Sequence, residues 1–264
     1  MTIAHKLVGN SMQMVACQLA PGQSVYCEPG KFLWKTANVG VRTTLGSARG
    51  EEPGASTTAS LLNLAKNVGK RVLSGEGIAI QVYTAESGSG LAAFAGVLPG
   101  QIRALELDGT TRWLAEKDAF VGAESTIDLD IAFSGLKSGW RGGEGFILEK
   151  LSGTGTVFIA GAGNFIELNP ADYGGKIQVD TGCIVAFEDT VRYGVERAGQ
   201  MNMQGLMTMA LGGEGVSLAT LEGDGKVIIQ SMTINGLARA LLKNAGSGDD
   251  REGPMGGLFS GSVD

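Results

Sequence analysis

The sequence predicts an all-β protein assembled from three copies of one antiparallel β-unit, and three observations carry that expectation. Glycine supplies 43 of the 264 residues but proline only six. That is more than twice the usual glycine share of ~7% and suits many tight turns between short strands. A Gly-Glu-Gly triplet followed by an apolar residue recurs at Gly75-Glu76-Gly77-Ile78, Gly143-Glu144-Gly145-Phe146 and Gly213-Glu214-Gly215-Val216, at intervals of 68 and 70 residues. In Ile127-Asp128-Leu129-Asp130-Ile131, apolar and acidic residues alternate with the period of two that marks a half-buried strand.

The elements of the unit follow in order. Each triplet leads into a strand and then a Gly-x-Gly turn, at Gly88-Ser89-Gly90, Gly153-Thr154-Gly155 and Gly223-Asp224-Gly225. An apolar strand follows each turn, over 91–95, 156–160 and 226–230, and the pattern is expected to form hairpins whose glycines take positive φ. A second motif begins with an acid and reaches an apolar residue four positions on: Glu28-Pro29-Gly30-Lys31-Phe32, Glu116-Lys117-Asp118-Ala119-Phe120 and Asp180-Thr181-Gly182-Cys183-Ile184. Its intervals of 88 and 64 residues leave the first unit roughly twenty residues longer. Residues 56–73 account for the excess, because Leu61, Ala65, Val68 and Val72 fall on one face of a helix there. The expected organisation is a single compact domain over 1–246, with units near 12–95, 96–160 and 161–231. A helical insert at 56–73, a second helix at 235–245 and a mobile Gly/Ser/Asp-rich tail at 247–264 complete it.

Composition narrows the function classes. No run approaches the ~18 apolar residues of a membrane-spanning helix, and the first ten residues lack a signal-peptide core. The reading is therefore cytoplasmic, with a peripheral membrane association left open. Cys17, Cys27 and Cys183 form no CxxC pair, so they read as buried apolar groups. The net charge of −6 opposes non-specific attraction to nucleic acid.

With the repeats placed, the segments from about Met12 to Ser231 resemble bacterial relatives of the mitochondrial-biogenesis family named for altered inheritance of mitochondria. The resemblance is carried by Met12-Gln13, Pro21-Gly22-Gln23, Glu28-Pro29-Gly30 and Pro99-Gly100-Gln101-Ile102. It continues through Gly143-Glu144-Gly145-Phe146, Gly153-Thr154-Gly155-Thr156-Val157-Phe158 and the run from Val179 to Phe187. Phe32 stands where the family often has methionine, and Asp224 where proline is common. The resemblance implies β-sandwich units like the tryptophan RNA-binding attenuation protein (TRAP-like) and a tendency to oligomerise, with a trimer favoured. It implies no reaction and supplies no catalytic residues. Mitochondrial relatives are linked with inner-membrane organisation, which points to a scaffolding role.

Candidate sites are few. His5 is the sole histidine, so neither a catalytic triad nor a multi-histidine metal centre can form within one chain, and no cofactor or metal set is assigned. Thr126, Asp128 and Asp130 share a strand face, which reads as solvated because no calcium loop accompanies them. Glu76, Glu144 and Glu214 read as structural residues at strand entries. Lys66, Lys70 and Arg71 on the inserted helix form the candidate partner or membrane surface. The apolar runs Val157–Ala160 and Ile184–Phe187 are candidates for burial between units or subunits. The functional expectation is a non-enzymatic homo-oligomeric scaffold or binding protein connected with membrane or envelope organisation. Single-stranded RNA binding and carboxylate-dependent catalysis are the alternatives.

Overall fold

The computed structural model describes residues 2–45, 79–134, 146–197 and 217–245. The three Gly-Glu-Gly triplets, the helix expected within 56–73 and the tail expected at 247–264 lie outside them. The first described stretch holds β1 (Ala4–Val8), β2 (Met14–Leu19), β3 (Ser24–Cys27), β4 (Phe32–Lys35) and β5 (Val39–Leu45). The second holds β6 (Ala79–Ala85), β7 (Gly90–Ala95), β8 (Gly100–Asp108), β9 (Trp113–Glu116), β10 (Phe120–Glu124) and β11 (Ile127–Ser134). Then come β12 (Ile147–Ala162), β13 (Phe165–Leu168), β14 (Lys176–Asp180), β15 (Ile184–Glu188) and β16 (Arg192–Arg197), followed by β17 (Ser217–Glu222), β18 (Val227–Gln230) and α1 (Ile234–Ala245). The protein is thus a predominantly β, sandwich-like fold with one helix among the described residues, close to where the sequence places the second helix. Thr233 accepts the Gly236 N–H at 3.0 Å through its hydroxyl and so caps the start of α1.

All the strand ladders are antiparallel. β5 and β3 flank β6, β11 and β9 flank the first half of β12, and β16 and β14 flank β17. β2 and β4 flank β7, β8 and β10 flank the second half of β12, and β13 and β15 flank β18. Two further ladders, β3 with β10 and β9 with β15, join four of these groups edge to edge in one sheet, while β4–β7–β2, with β1 on its outer side, and β14–β17–β16 are separate sheets among the described strands.

The hairpins expected at Gly-x-Gly are a correction. β6 pairs with β3 and β5 but not with β7, and β17 pairs with β14 and β16 but not with β18. Between Ile147 and Ala162 the chain does not turn back at all, since β12 runs through Gly153-Thr154-Gly155 as one strand. The glycines do take positive φ: 62° at Gly88, 116° at Gly153, 143° at Gly155 and 126° at Gly223. They use that freedom to swing the strand from one ladder to another. Hairpins and sheet-to-sheet crossings draw on the same glycine conformations, so the spacing alone does not separate them.

After each crossing, one side chain catches the backbone. The hydroxyl of Thr36 accepts the Leu91 N–H at 3.0 Å, the carboxylate of Glu124 accepts that of Thr156 at 3.1 Å, and that of Glu188 accepts that of Lys226 at 2.9 Å. Glu124 also takes the Ile3 N–H at 2.8 Å. The acidic-turn motifs act locally as well. Glu116 and Asp180 each accept an N–H from two residues on, at 2.9 Å, and so start the short 3-10 turns 117–119 and 181–183.

Apolar packing forms three clusters between the ladders. One contains Tyr26, Trp113, Phe120, Leu151 and Ile159, a second Val15, Tyr83, Phe94 and Phe158, and a third Leu148, Phe187, Leu221 and Val227. On β11, Ile127 and Leu129 are buried and Asp130 faces outward as the alternation predicts, whereas Asp128 is half-buried and Ile131 is exposed; Thr126, just before the strand, is exposed as well.

A Cβ at Gly153 would lie 2.5 Å from the Thr126 carbonyl oxygen, whereas one at Gly174, φ 81°, would meet open space. Backbone strain alone costs roughly 1–3 kcal/mol at such a φ. Gly153→Ala is therefore expected to lower the urea midpoint well beyond Gly174→Ala, which pays for strain only. Equal midpoints would mean that the crossing is not held closely against β11.

Candidate functional site

Two features stand out from the ordinary core. The first is a set of acidic side chains where the first two acidic turns meet. Glu149 lies on β12 opposite Ala115 of β9 and is 2% exposed, with its Oε2 lacking any hydrogen-bond partner. Burial first, then the charge of Glu28, hold the Glu149 carboxyl well above the ordinary carboxylate range. The charges of Glu28 and Glu149 oppose one another, so ionisation of both at once is disfavoured. Glu28 is also raised, mainly by burial, with Lys31 opposing the shift. Burial, reinforced by the charge of Asp118, lifts Glu116 to about 7. Lys31 is itself buried and donates from Nζ to the Asp118 carbonyl oxygen at 2.9 Å. The acidic turn that begins at Glu28 is thereby tied to the turn that follows β9.

Beside Glu116 and Asp118 lies a groove of about 150 Å³, closed by Phe146, Thr181 and Ile234. This is below the roughly 300 Å³ of a typical small-molecule site. The cluster can retain protons near neutral pH. His5 sits apart on β1, its ring edge-on to Phe158 at 5.0 Å and its Nδ1 3.1 Å from the Ile3 carbonyl oxygen. Burial pushes the thiols of Cys17 and Cys27 up to about 12, so they remain protonated.

The second feature is an open strand edge. Among the described strands β4 pairs with β7 only, and Phe32, Leu33 and Trp34 on it are all exposed. The apolar runs singled out in the sequence do not provide such a surface, because Val157–Ile159 and Ile184–Phe187 are buried in the chain's own core. Phe32-Leu33-Trp34 has the apolar character of a buried strand, yet no described strand lies on its other side. Outward-facing Leu241 and Leu242 give α1 an apolar side as well. Lys66, Lys70 and Arg71 lie outside the described residues.

The acidic cluster has a pH consequence whose sign follows from proton counting. Folded Glu149, Glu28 and Glu116 hold protons that the unfolded chain releases above about 4.5, the ordinary value. Stability is therefore greatest below that range and falls as pH rises through the folded values. The thermal midpoint is expected to drop between pH 5 and pH 9. Glu149→Gln should flatten that slope and stabilise the protein at pH 8 by roughly 1–3 kcal/mol, the scale of an unsatisfied buried polar group. A variant as pH-sensitive as the unmodified protein would place the proton elsewhere.

Comparison with known proteins adds the family. The chain is 28% identical over 242 residues to an uncharacterised protein of Streptococcus pyogenes serotype M6, covering 89% of each chain. It also superposes on the crystal structure of another Streptococcus pyogenes protein with a TM-score of 0.67 at 23% identity, over 92% of this chain and 99% of that one. This second likeness shows the fold alone. The family model described as mitochondrial biogenesis AIM24 matches residues 5–232. With most of its length matched, the chain belongs to the AIM24 family.

Proposed function

We propose that this protein is a homo-oligomeric scaffold or binding protein, built from three TRAP-like copies of one six-strand unit and acting without catalysis of its own. The observation that carries the oligomer is the open β4 edge with Phe32, Leu33 and Trp34 exposed on it. Unpaired strand edges carry free N–H and C=O groups, and natural proteins protect them with charge, proline or a covering element. Here the edge carries three large apolar side chains, followed by a single Lys35.

Support for the threefold repeat comes from the recurrence of details that pairing alone does not require. A register shift falls between Phe32 and Trp34, between Phe120 and Gly122, and between Ile184 and Ala186. These positions stand at equal distances from the acids Glu28, Glu116 and Asp180. The side chains that catch the backbone after each crossing, Thr36, Glu124 and Glu188, are equally spaced from the same acids. Single-stranded RNA binding is the weaker reading, because the net charge of −6 works against phosphate contacts.

Native mass spectrometry of untagged protein tests assembly directly. A multiple of the 27.2 kDa chain mass is expected at micromolar concentration, a trimer in particular if the family resemblance extends to stoichiometry. A 27.2 kDa species alone would contradict the proposal.

A further inference from the structure

The acidic turns meet in pairs, and the two meetings are filled differently. Where the turn that begins at Glu28 meets the one that begins at Glu116, Lys31 occupies the contact. Its side chain is buried, and its Nζ donates to the Asp118 carbonyl oxygen at 2.9 Å. Lys31 stands three residues after its acid, and Asp118 two residues after the next one. Counted in the same way, the positions where the turn of Glu116 meets the turn of Asp180 are Ala119 and Gly182. An alanine thus replaces the lysine, and the Gly182 carbonyl oxygen accepts instead from Nε2 of Gln230 at 2.8 Å. The register repeats the contrast. Glu149 lies opposite Ala115, one residue before Glu116, whereas Ala219 lies opposite Val179, one residue before Asp180. Two long polar side chains of the first meeting are therefore alanines in the second.

The second meeting is hollow. Next to the groove of about 150 Å³ beside Glu116 and Asp118 is a further cavity of about 150 Å³, and the two share Glu116, Asp118, Ile184, Gln230 and Ile234 as walls. Together they approach the roughly 300 Å³ at which typical small-molecule sites begin. Ala119 lines the further cavity and Gly182 the groove, so the hollow is bordered by the two positions that correspond to Lys31 and Asp118. Val97, Leu98 and Phe146 add large apolar side chains to those of Ile184 and Ile234. Glu116 borders both spaces, its Oε2 held by the Asp118 N–H at 2.9 Å. The described charges on these walls are Glu116, Asp118 and Lys117, so the formal balance is negative.

Apolar walls with a carboxyl shared by both spaces suit a cation on a hydrocarbon stem. An ammonium taken out of water needs a counter-charge and hydrogen-bond acceptors, while its stem gains from apolar contact, as in a lysine side chain. Resting on the three-unit reading above, we propose that the hollow between Glu116 and the start of α1 binds a small alkylammonium ligand, a primary amine on a short apolar chain. The ligand takes the place that Lys31 fills in the first meeting. Its ammonium pairs with the Glu116 carboxylate in a charge-assisted hydrogen bond, and its chain lies against Ile184 and Ile234.

The test titrates the full-length protein with n-butylamine, and with n-butanol as the uncharged control, by ligand-observed saturation-transfer NMR. At pH 8 the amine is protonated, and the solution is above the value of about 7 at which Glu116 loses its proton. Saturable binding of n-butylamine is expected, with n-butanol weaker by roughly tenfold, the scale of one hydrogen bond to a charged group. Glu116→Gln, which keeps an acceptor for the Asp118 N–H, is expected to weaken the amine by a similar factor. No saturable binding to the unmodified protein, equal affinity for amine and alcohol, or an unchanged amine affinity in folded Glu116→Gln would each overturn the site. Ala119→Lys tests the correspondence with Lys31 separately, because the new side chain is expected to fill the hollow and abolish amine binding while the far-UV circular dichroism stays the same. A folded Ala119→Lys that binds the amine as before would refute the correspondence of positions 31 and 119, and with it the three-unit reading. Glu116→Gln decides the amine site whether or not a lysine is tolerated at 119.

Discussion

Everything in the fold is organised around β12, a sixteen-residue strand that serves as the middle strand of two groups at once. Its first half is gripped by β9 and β11 and its second by β8 and β10. It supplies side chains to all three apolar clusters: Leu148 to one, Phe158 to another, and Leu151, Val157 and Ile159 to the third. This sharing requires the strand to change direction without leaving the sheet, and Gly153 and Gly155 make that possible with φ values of 116° and 143°. Thr156 is held at the bend by two acids, its N–H by Glu124 and its hydroxyl by Glu106 at 3.0 Å. The molecule is therefore a chain of ladders linked edge to edge, in which the central strand fixes the relation between neighbours.

Where the acidic turns that begin at Glu28 and Glu116 meet, the packing buries Glu149 near Glu28, with Lys31 and Lys117 close enough to act on the pair. Removing such groups from water is costly unless they are neutralised or paired. Here the cost is limited by proton retention and by the two lysines, of which Lys31 donates to the Asp118 carbonyl oxygen. The same contact ties the turn that begins at Glu28 to the one that begins at Glu116, so the junction is specified by polar groups as well as by strand pairing.

Much of this plan was legible in the sequence, and the failures share a cause. The acidic turns could be read because their chemistry is local: Glu116 and Asp180 bond to amides two residues away. The strands after each Gly-x-Gly, the alternation on β11 and the helix near 235–245 follow from short-range periodicity in the same way. The Gly-x-Gly segments could be read as bends but not as crossings, since the pairing partners that decide between the two are distant in sequence. Glu149 was missed because Leu148-Glu149-Lys150 looks like strand alternation with a solvent-facing acid. Only the approach of Glu28, more than a hundred residues earlier, makes it buried. Likewise, nothing local distinguishes Phe32-Leu33-Trp34 from the apolar strands that begin at Phe120 and Ile184; the difference is whether a second described strand lies alongside.

That difference is also what the proposed assembly turns on. If β4 is an edge only while a chain is alone, amide hydrogen exchange across a dilution series will register it. Exchange on β4 is predicted to be slow in concentrated protein and to speed up as dilution lowers the mass to a single chain, while β10 and β15 remain slow throughout. Fast exchange on β4 in protein of oligomeric mass would contradict the burial of this edge between copies.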